Sequence, residues 1–214
     1  MLLNLTTNRN EMQFIKFKEA LKEFPLFTYS DIRKIEPDFQ RRRLVEWQNK
    51  GYVRKIRQGI YSFSDQSIGE DYLFYASNRI YKPSYVSLES AFAYYNLIPE
   101  GVYIYTGITT NKTKSFDTSI GNYFYRNVKP SLFFGYQLVR MHGFNIKIAE
   151  PEKLILDYCY FKKIEDPEKI ADLRINKEIA NEIIDPAKLD RYQSIYNSKV
   201  MDRKINFFKI FLYA

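Results

Sequence analysis

The groups in this 214-residue chain best suited to chemistry are guanidinium and ammonium side chains crowded into one short stretch. Arg41, Arg42 and Arg43 form an unbroken run, with Arg33 and Lys34 before it and Lys50, Arg54, Lys55 and Arg57 after it. Between residues 33 and 57 nine basic residues stand against three acidic ones, a local charge of +6 in a chain of net charge +8. Clustered cations capture phosphates by charge, and guanidinium groups also read guanine edges through paired hydrogen bonds. The chemistry on offer is nucleic-acid binding.

Local sequence signals predict the elements that would hold these groups. Thr28 with Asp31 three residues later is a capping box, which opens a helix that turns Ile32 and Ile35 inward. Glu36-Pro37 interrupts it. The next helix is expected to start near Pro37 or Asp38 and to run to Lys50, with Gly51 as its stop. Gln40, Leu44 and Trp47 share one face of that helix, so Arg42 and Arg43 are expected on the outer face. Residues 52–63 alternate as a hairpin closed at Gln58-Gly59, and a helix over 11–24 brings Phe14, Phe17, Leu21 and Phe24 to one side. Helix, turn, arginine helix and basic hairpin in that order read as a winged helix-turn-helix. Its candidate DNA contacts are Arg33, Lys34, Gln40, Arg41, Arg42, Arg43, Lys50, Arg54, Lys55, Arg57 and Gln58. Double-stranded DNA is the expected partner, because no glycine-aromatic RNA-binding signature is present.

The length suits two domains, residues 1–66 and 67–214, with the boundary in Ser64 to Gly69. After residue 66 the charge balance falls to +3. One cysteine and one histidine exclude a disulfide framework and a structural zinc site, and no metal or cofactor is expected. Cys159, in LILDYCYF, reads as a core residue, and His142 before Gly143 as an exposed turn residue. No apolar run is long enough to cross a bilayer and no leader pattern opens the chain, so a cytoplasmic protein without a membrane partner is expected. The 19 tyrosines and 17 phenylalanines rise together with Ile, Asn and Lys, as A/T-rich coding would produce, and read as core more than as base-stacking rings.

The second domain reads as helices over 71–81 and 87–96, the latter capped by Ser87. Strands follow over 102–110, 114–118, 122–128 and 136–149, the last turning at His142-Gly143. A helix from Pro151 to about Lys162 comes next, and three helical stretches over 166–183, 186–197 and 199–212 close the chain. The fold class is therefore α+β: an N-terminal winged helix-turn-helix, then a mixed α/β domain whose C-terminal helices lie on a sheet or on one another.

The basic unit ending in GIYSF, then YVSLESAFAYYNLIPEG, then GITTNKTKSFDTSIGNYFYRNVKPSLFFGY, then IAEPEKLILDYCY, run in series over about residues 27–160. This series resembles the AbiEi family of antitoxins from type IV toxin-antitoxin systems. The resemblance implies a bacterial phage-defence protein of the abortive-infection kind. Its N-terminal domain would repress its own promoter, and its second domain would counteract a nucleotidyltransferase-like toxin without needing a stable complex. A homo-oligomer on the operator is compatible with that picture. In the antitoxin domain the resemblance marks Ser87, Glu89, Ser90, Glu150, Glu152, Lys153 and Asp157 without assigning them a chemistry.

Their local readings are plain ones. Ser87 reads as a helix cap, Glu150 and Glu152 as carboxylates at a helix N-terminus, and Lys153 with Asp157 as an i, i+4 pair. Two rival functions remain beside this one: a stand-alone regulator with a ligand-sensing or dimerising second domain, and a DNA-targeted enzyme. For the enzyme, Glu150-Pro-Glu152-Lys153 has the wrong spacing for a restriction-type nuclease. Neither a G-x-x-x-x-G-K-[ST] loop nor a G-x-S-x-G elbow occurs.

Overall fold

The structure, a computed structural model, describes residues 13–141 and 143–213, so the expectations for residues 11, 12 and His142 lie outside the described residues. The chain is mixed α+β and divides into two compact units, one reaching residue 68 and including 118–120, the other formed by 69–117 and 121–214.

In the first unit residues 13–20 are helical (α1), followed by β1 (Phe27–Thr28), α2 (Tyr29–Ile35), α3 (Arg41–Asn49), β2 (Val53–Arg57) and β3 (Ile60–Phe63). The Thr28 hydroxyl accepts from the Asp31 amide at 3.2 Å, and the Asp31 carboxylate accepts from the Thr28 amide at 3.0 Å. This closed capping box starts α2. The strands form a sheet in the order β1-β3-β2, with β2 and β3 joined by a tight turn in which Gly59 takes a φ of +80°.

A core of Phe17, Leu21, Phe27, Ile32, Phe39, Leu44, Trp47, Val53 and Phe63 holds the unit together. Two expectations fail here. Helix α3 begins at Arg41, not at Pro37 or Asp38, because Phe39 leaves the helical path to bury itself in this core, where its ring stacks on Phe17. The Tyr29 hydroxyl fixes that detour by donating to the Phe39 carbonyl at 2.8 Å. Ile35 is 43% exposed and does not join Ile32 in the interior. It occupies the last position of a short helix whose inward face is already closed by Ile32.

The second unit contains α4 (Glu70–Ile80), β4 (Ser84–Val86), α5 (Glu89–Tyr94), β5 (Ile104–Thr109), β6 (Lys114–Thr118), β7 (Gly121–Asn127), β8 (Tyr136–Met141) and β9 (Phe144–Ala149). Helices α6 (Pro151–Phe161), α7 (Glu168–Ala171), α8 (Lys177–Ile183), α9 (Pro186–Ser194) and α10 (Lys199–Tyr213) complete it. The strands make one mixed sheet in the order β6-β7-β5-β4-β9-β8. β4 runs antiparallel to β5 and parallel to β9.

Strand alternation decides what lies on each face. The Ser84 hydroxyl meets the Ser77 carbonyl of α4, whereas the hydroxyls of Tyr85 and Ser87 reach Asp157 of α6. Helices α4 and α6 therefore cover opposite faces of β4. Every residue of α6 from Glu152 to Cys159 is buried, as befits a helix packed between the sheet and the outer helices α9 and α10. Helix α10 buries Met201, Ile205, Phe208 and Leu212 at spacings of four, three and four. Its Lys204 donates to the Cys159 and Lys162 carbonyls at 2.8 and 2.6 Å, satisfying acceptors that the end of α6 leaves open.

The helix expected over 166–183 is broken into α7 and α8. Arg174 takes a φ of +50°, Ile175 is buried, and the Asn176 side chain caps α8 by accepting from the Ile179 amide. The helix expected over 186–197 ends at Ser194. Ser87 does not cap α5, whose flanking residue is Leu88.

Because the chain has a single tryptophan, buried in the N-terminal core, its fluorescence reports unfolding of that unit. Thr28→Ala should lower the stability so measured in urea by about 1 kcal/mol, the usual worth of an N-cap, and Phe39→Ala by about 3 to 5 kcal/mol through cavity formation.

Candidate functional site

The three consecutive arginines of α3 have three different environments. Arg41 is exposed, with its guanidinium carbon 4.4 Å from the centre of the Tyr29 ring. Arg42 has a side chain 82% exposed and approaches Glu46 at 3.0 Å. Arg43 turns back. Its side chain is 22% exposed, pairs with Glu36, and lies 4.7 Å and 4.9 Å from the ring centres of Phe39 and Trp47. The expectation that Arg43 points outward is overturned because Trp47 stands four residues on, so the two share one helical ridge beside the buried Phe39. Gln40 is likewise exposed at the helix start and makes no capping bond, so it does not share the buried face of Leu44 and Trp47.

The other candidate contacts divide similarly. Arg33 donates to the Pro37 carbonyl at 3.1 Å, and Lys34 lies 3.5 Å from Asp31. Lys50 is exposed, 6.0 Å from the Tyr52 ring centre. On the hairpin, Arg54 is half-buried and donates to the Ser64 carbonyl at 3.1 Å, Lys55 and Gln58 are exposed, and Arg57 is half-buried. The register shift between Lys55 and Arg57 is a bulge that breaks strict alternation along β2.

In the second unit Ser87, Ser90, Glu152, Lys153 and Asp157 are buried, whereas Glu89 and Glu150 are not. Lys153 and Asp157 form an ion pair with both side chains wholly buried. The Asp157 carboxylate also accepts from the hydroxyls of Ser87 at 2.8 Å and Tyr85 at 3.0 Å. The Lys153 ammonium reaches the Tyr196 hydroxyl at 3.0 Å and sits between the rings of Tyr85, Phe134 and Tyr196, 5.2 to 5.7 Å from their centres. Burial pushes the Asp157 carboxyl above the ordinary carboxylate range, against the pull of the Lys153 charge and of its hydrogen-bond donors. The same burial raises the Tyr85 hydroxyl, with the Asp157 charge adding to the effect. This is no helix-surface pair of the kind the spacing suggested.

Around it the neighbouring motif residues lock the packing. Glu150 accepts from the Tyr192 hydroxyl at 2.6 Å, Glu152 from the Asp185 amide at 2.9 Å, and Lys188 lies 3.2 Å from both carboxylates. The two glutamates therefore seat α9 on α6, a role more specific than the helix-dipole contact expected of them. Ser90 and Thr106 exchange hydrogen bonds, and the Thr106 hydroxyl donates to the Ser87 carbonyl at 2.6 Å. That bracket holds Leu88 at a φ of +57°, a strained value for a residue with a side chain. Gly135, at a φ of +66°, has no room for a side chain: an added Cβ would stand 2.9 Å from Tyr192 and 3.0 Å from Lys153. Glu89 pairs at the surface with Lys162 at 3.1 Å.

Sequence reasoning missed Tyr85, Gly135, Lys188 and Tyr196. Only the glycine just before a strand gave a local signal. Cys159 is buried and its thiol is pushed up to about 12 by burial, which leaves it a protonated core residue at neutral pH. Among the described residues no three His, Cys, Asp or Glu side chains converge as a metal ion would require, and no helix is long and apolar enough to cross a membrane.

A cavity of about 560 Å³ opens elsewhere in this unit. Thr106, Phe124 and Arg126 of the sheet line it, together with Glu89, Tyr103 and Leu173. Arg126 is held between the rings of Phe124 and Phe161, at 5.3 and 5.1 Å from their centres.

Lys153→Met should lower the stability of the second unit by about 3 to 5 kcal/mol, because it strands a buried carboxylate. Adding Asp157→Asn should restore part of that loss by removing the uncompensated charge while keeping an acceptor for Ser87 and Tyr85. The check is chemical denaturation followed by far-ultraviolet circular dichroism. If the double variant lost the sum of the two single losses, the ion pair would not be the governing interaction.

The chain matches no protein-family model and no curated protein sequence.

Proposed function

We propose that the chain is a double-stranded DNA-binding autorepressor and antitoxin, with the N-terminal unit acting as a winged helix-turn-helix. The observation that carries the DNA-binding half is the outward set of cations on and beside α3. Arg41, Arg42 and Lys50 on or next to that helix and Lys55 on the following hairpin are all exposed, and of the carboxylates in this stretch only Glu46 pairs with one of them. Helix α2, capped by Thr28, would cross the phosphate backbone while α3 enters the major groove and the β2-β3 hairpin follows the adjacent strand. Arg43 is removed from the set of contacts, since its guanidinium is committed to Glu36 and the Phe39 and Trp47 rings.

The antitoxin half rests on the resemblance to the AbiEi family. Its motif positions Ser87, Ser90, Glu152, Lys153 and Asp157 are all buried, which supports a role in building the antitoxin domain and leaves contact with a toxin to exposed surface. One observation favours a second reading, a regulator whose C-terminal unit senses a ligand: the 560 Å³ cavity falls within the size range of small-molecule sites.

Full-length protein should retard a duplex from its own promoter, with affinity falling steeply as salt rises because bound cations release counterions. Arg41→Ala with Arg42→Ala should weaken binding by about 1 to 3 kcal/mol per base-contacting arginine without lowering stability. Arg43→Ala should do the reverse, lowering the urea midpoint while the folded fraction still binds. An unchanged gel shift for the double variant would remove α3 from the interface.

For the other half, co-expression of the full chain with a nucleotidyltransferase-like toxin from the same operon should restore growth. Continued arrest by an active toxin would leave a repressor that is no antitoxin.

A further inference from the structure

Helix α3 carries an apolar side chain where solvation favours none. Val45 is 54% exposed and lies outside the buried cluster of its unit, whose α3 members are Leu44 and Trp47. A β-branched residue on an exposed helix position is not favoured by helix propensity either. Successive residues turn by about 100°, so Arg41, Val45 and Asn49, at i, i+4 and i+8, form one outward ridge. All three are exposed. The ridge presents a guanidinium, an isopropyl group and a carboxamide in that order. Its neighbour Gln48 is turned along the helix instead, donating to the Leu44 carbonyl at 3.0 Å. The Arg41 guanidinium carbon lies over the Tyr29 ring, 4.4 Å from its centre, a contact that leaves guanidinium N–H groups available for other partners.

We propose that this ridge reads bases in the major groove and that Val45 selects thymine through its C5-methyl group. The proposal rests on the DNA-binding reading of the N-terminal unit and gives that reading a sequence preference. The charge complement for a phosphate-lined groove comes from Arg42, Lys50 and Lys55. The methyl of thymine is the apolar group that a major groove exposes to a valine, as guanine exposes acceptors to an arginine and adenine a donor-acceptor pair to an asparagine. Positions four apart on a helix rise by about 6 Å, close to two base-pair steps of about 3.4 Å each. The thymine should therefore fall about two base pairs from the base read by Arg41, with an adenine about two further on.

The test begins with full-length protein and selection of preferred duplexes from a randomised library. The selected duplex is then titrated beside copies in which single thymines are replaced by uracil, a change that deletes the methyl alone. Wild-type protein should lose roughly 4-fold in affinity at one thymine, the worth of one buried methyl. Val45→Ala should bind the thymine and uracil duplexes equally, and Val45→Thr, which keeps a methyl, should retain the discrimination. If a preferred duplex emerges but uracil is tolerated at every position, or Val45→Ala keeps the wild-type ratio, the assignment of Val45 is overturned and the DNA-binding reading stands. If no duplex is bound at all, the DNA-binding reading fails and the assignment fails with it.

Discussion

Two opposite charges buried in the second unit constrain nearly everything around them. An ammonium or carboxylate moved from water to a protein interior loses several kcal/mol of solvation even after relaxation, and only close pairing with full hydrogen bonding offsets that loss. The partners of Lys153 and Asp157 come from separate parts of the chain: Tyr85 and Ser87 at β4, Phe134 before β8, and Tyr196 after α9. None of them can be displaced without exposing a buried charge to apolar surroundings. The pair thereby fixes α6 against the sheet and closes the α9-α10 connection over it. The absence of a side chain at Gly135 follows from the same constraint, since the backbone there passes against the Lys153 stem.

The N-terminal unit obeys a different rule, in which the core decides the fate of each charge. Arg41, Arg42 and Arg43 are identical in type and adjacent in sequence, yet one lies over the Tyr29 ring, one extends into solvent and one packs inward. The difference arises from Phe39 and Trp47, whose rings form an apolar platform on the side of α3 that Arg43 faces. Covering those rings with a guanidinium shields them from water while Glu36 balances the charge. A run of three arginines thus supplies two outward groups, and the third belongs to the fold.

Local chemistry was legible in the sequence wherever it was self-contained. The Thr28 capping box, the Gln58-Gly59 turn, the proline that opens α6 and the bounds of β6 each depend on a few neighbouring residues, and each stands where the sequence pointed. What failed depended on tertiary contacts. The start of α3 moved because Phe39 gains more from the core than from a helical turn, and the 166–183 stretch broke where Ile175 turned inward. Spacing showed Lys153 and Asp157 to be neighbours, but i, i+4 geometry is the same on a wet surface and in a dry interior. Burial on every side of α6 distinguishes the two, and that information comes from β4, α9 and α10.

This bears on where specificity lies in each unit. A buried polar residue is fixed in type by the partners that must satisfy it. Ser87, Ser90, Glu152, Lys153 and Asp157 are of that kind, sealed from any partner molecule by the packing they enforce. Arg42, Val45 and Asn49 on α3 and Tyr103 beside the cavity are exposed and belong to neither core. These five buried residues therefore serve the scaffold. The exposed side chains are free of the demands that packing places on the buried ones.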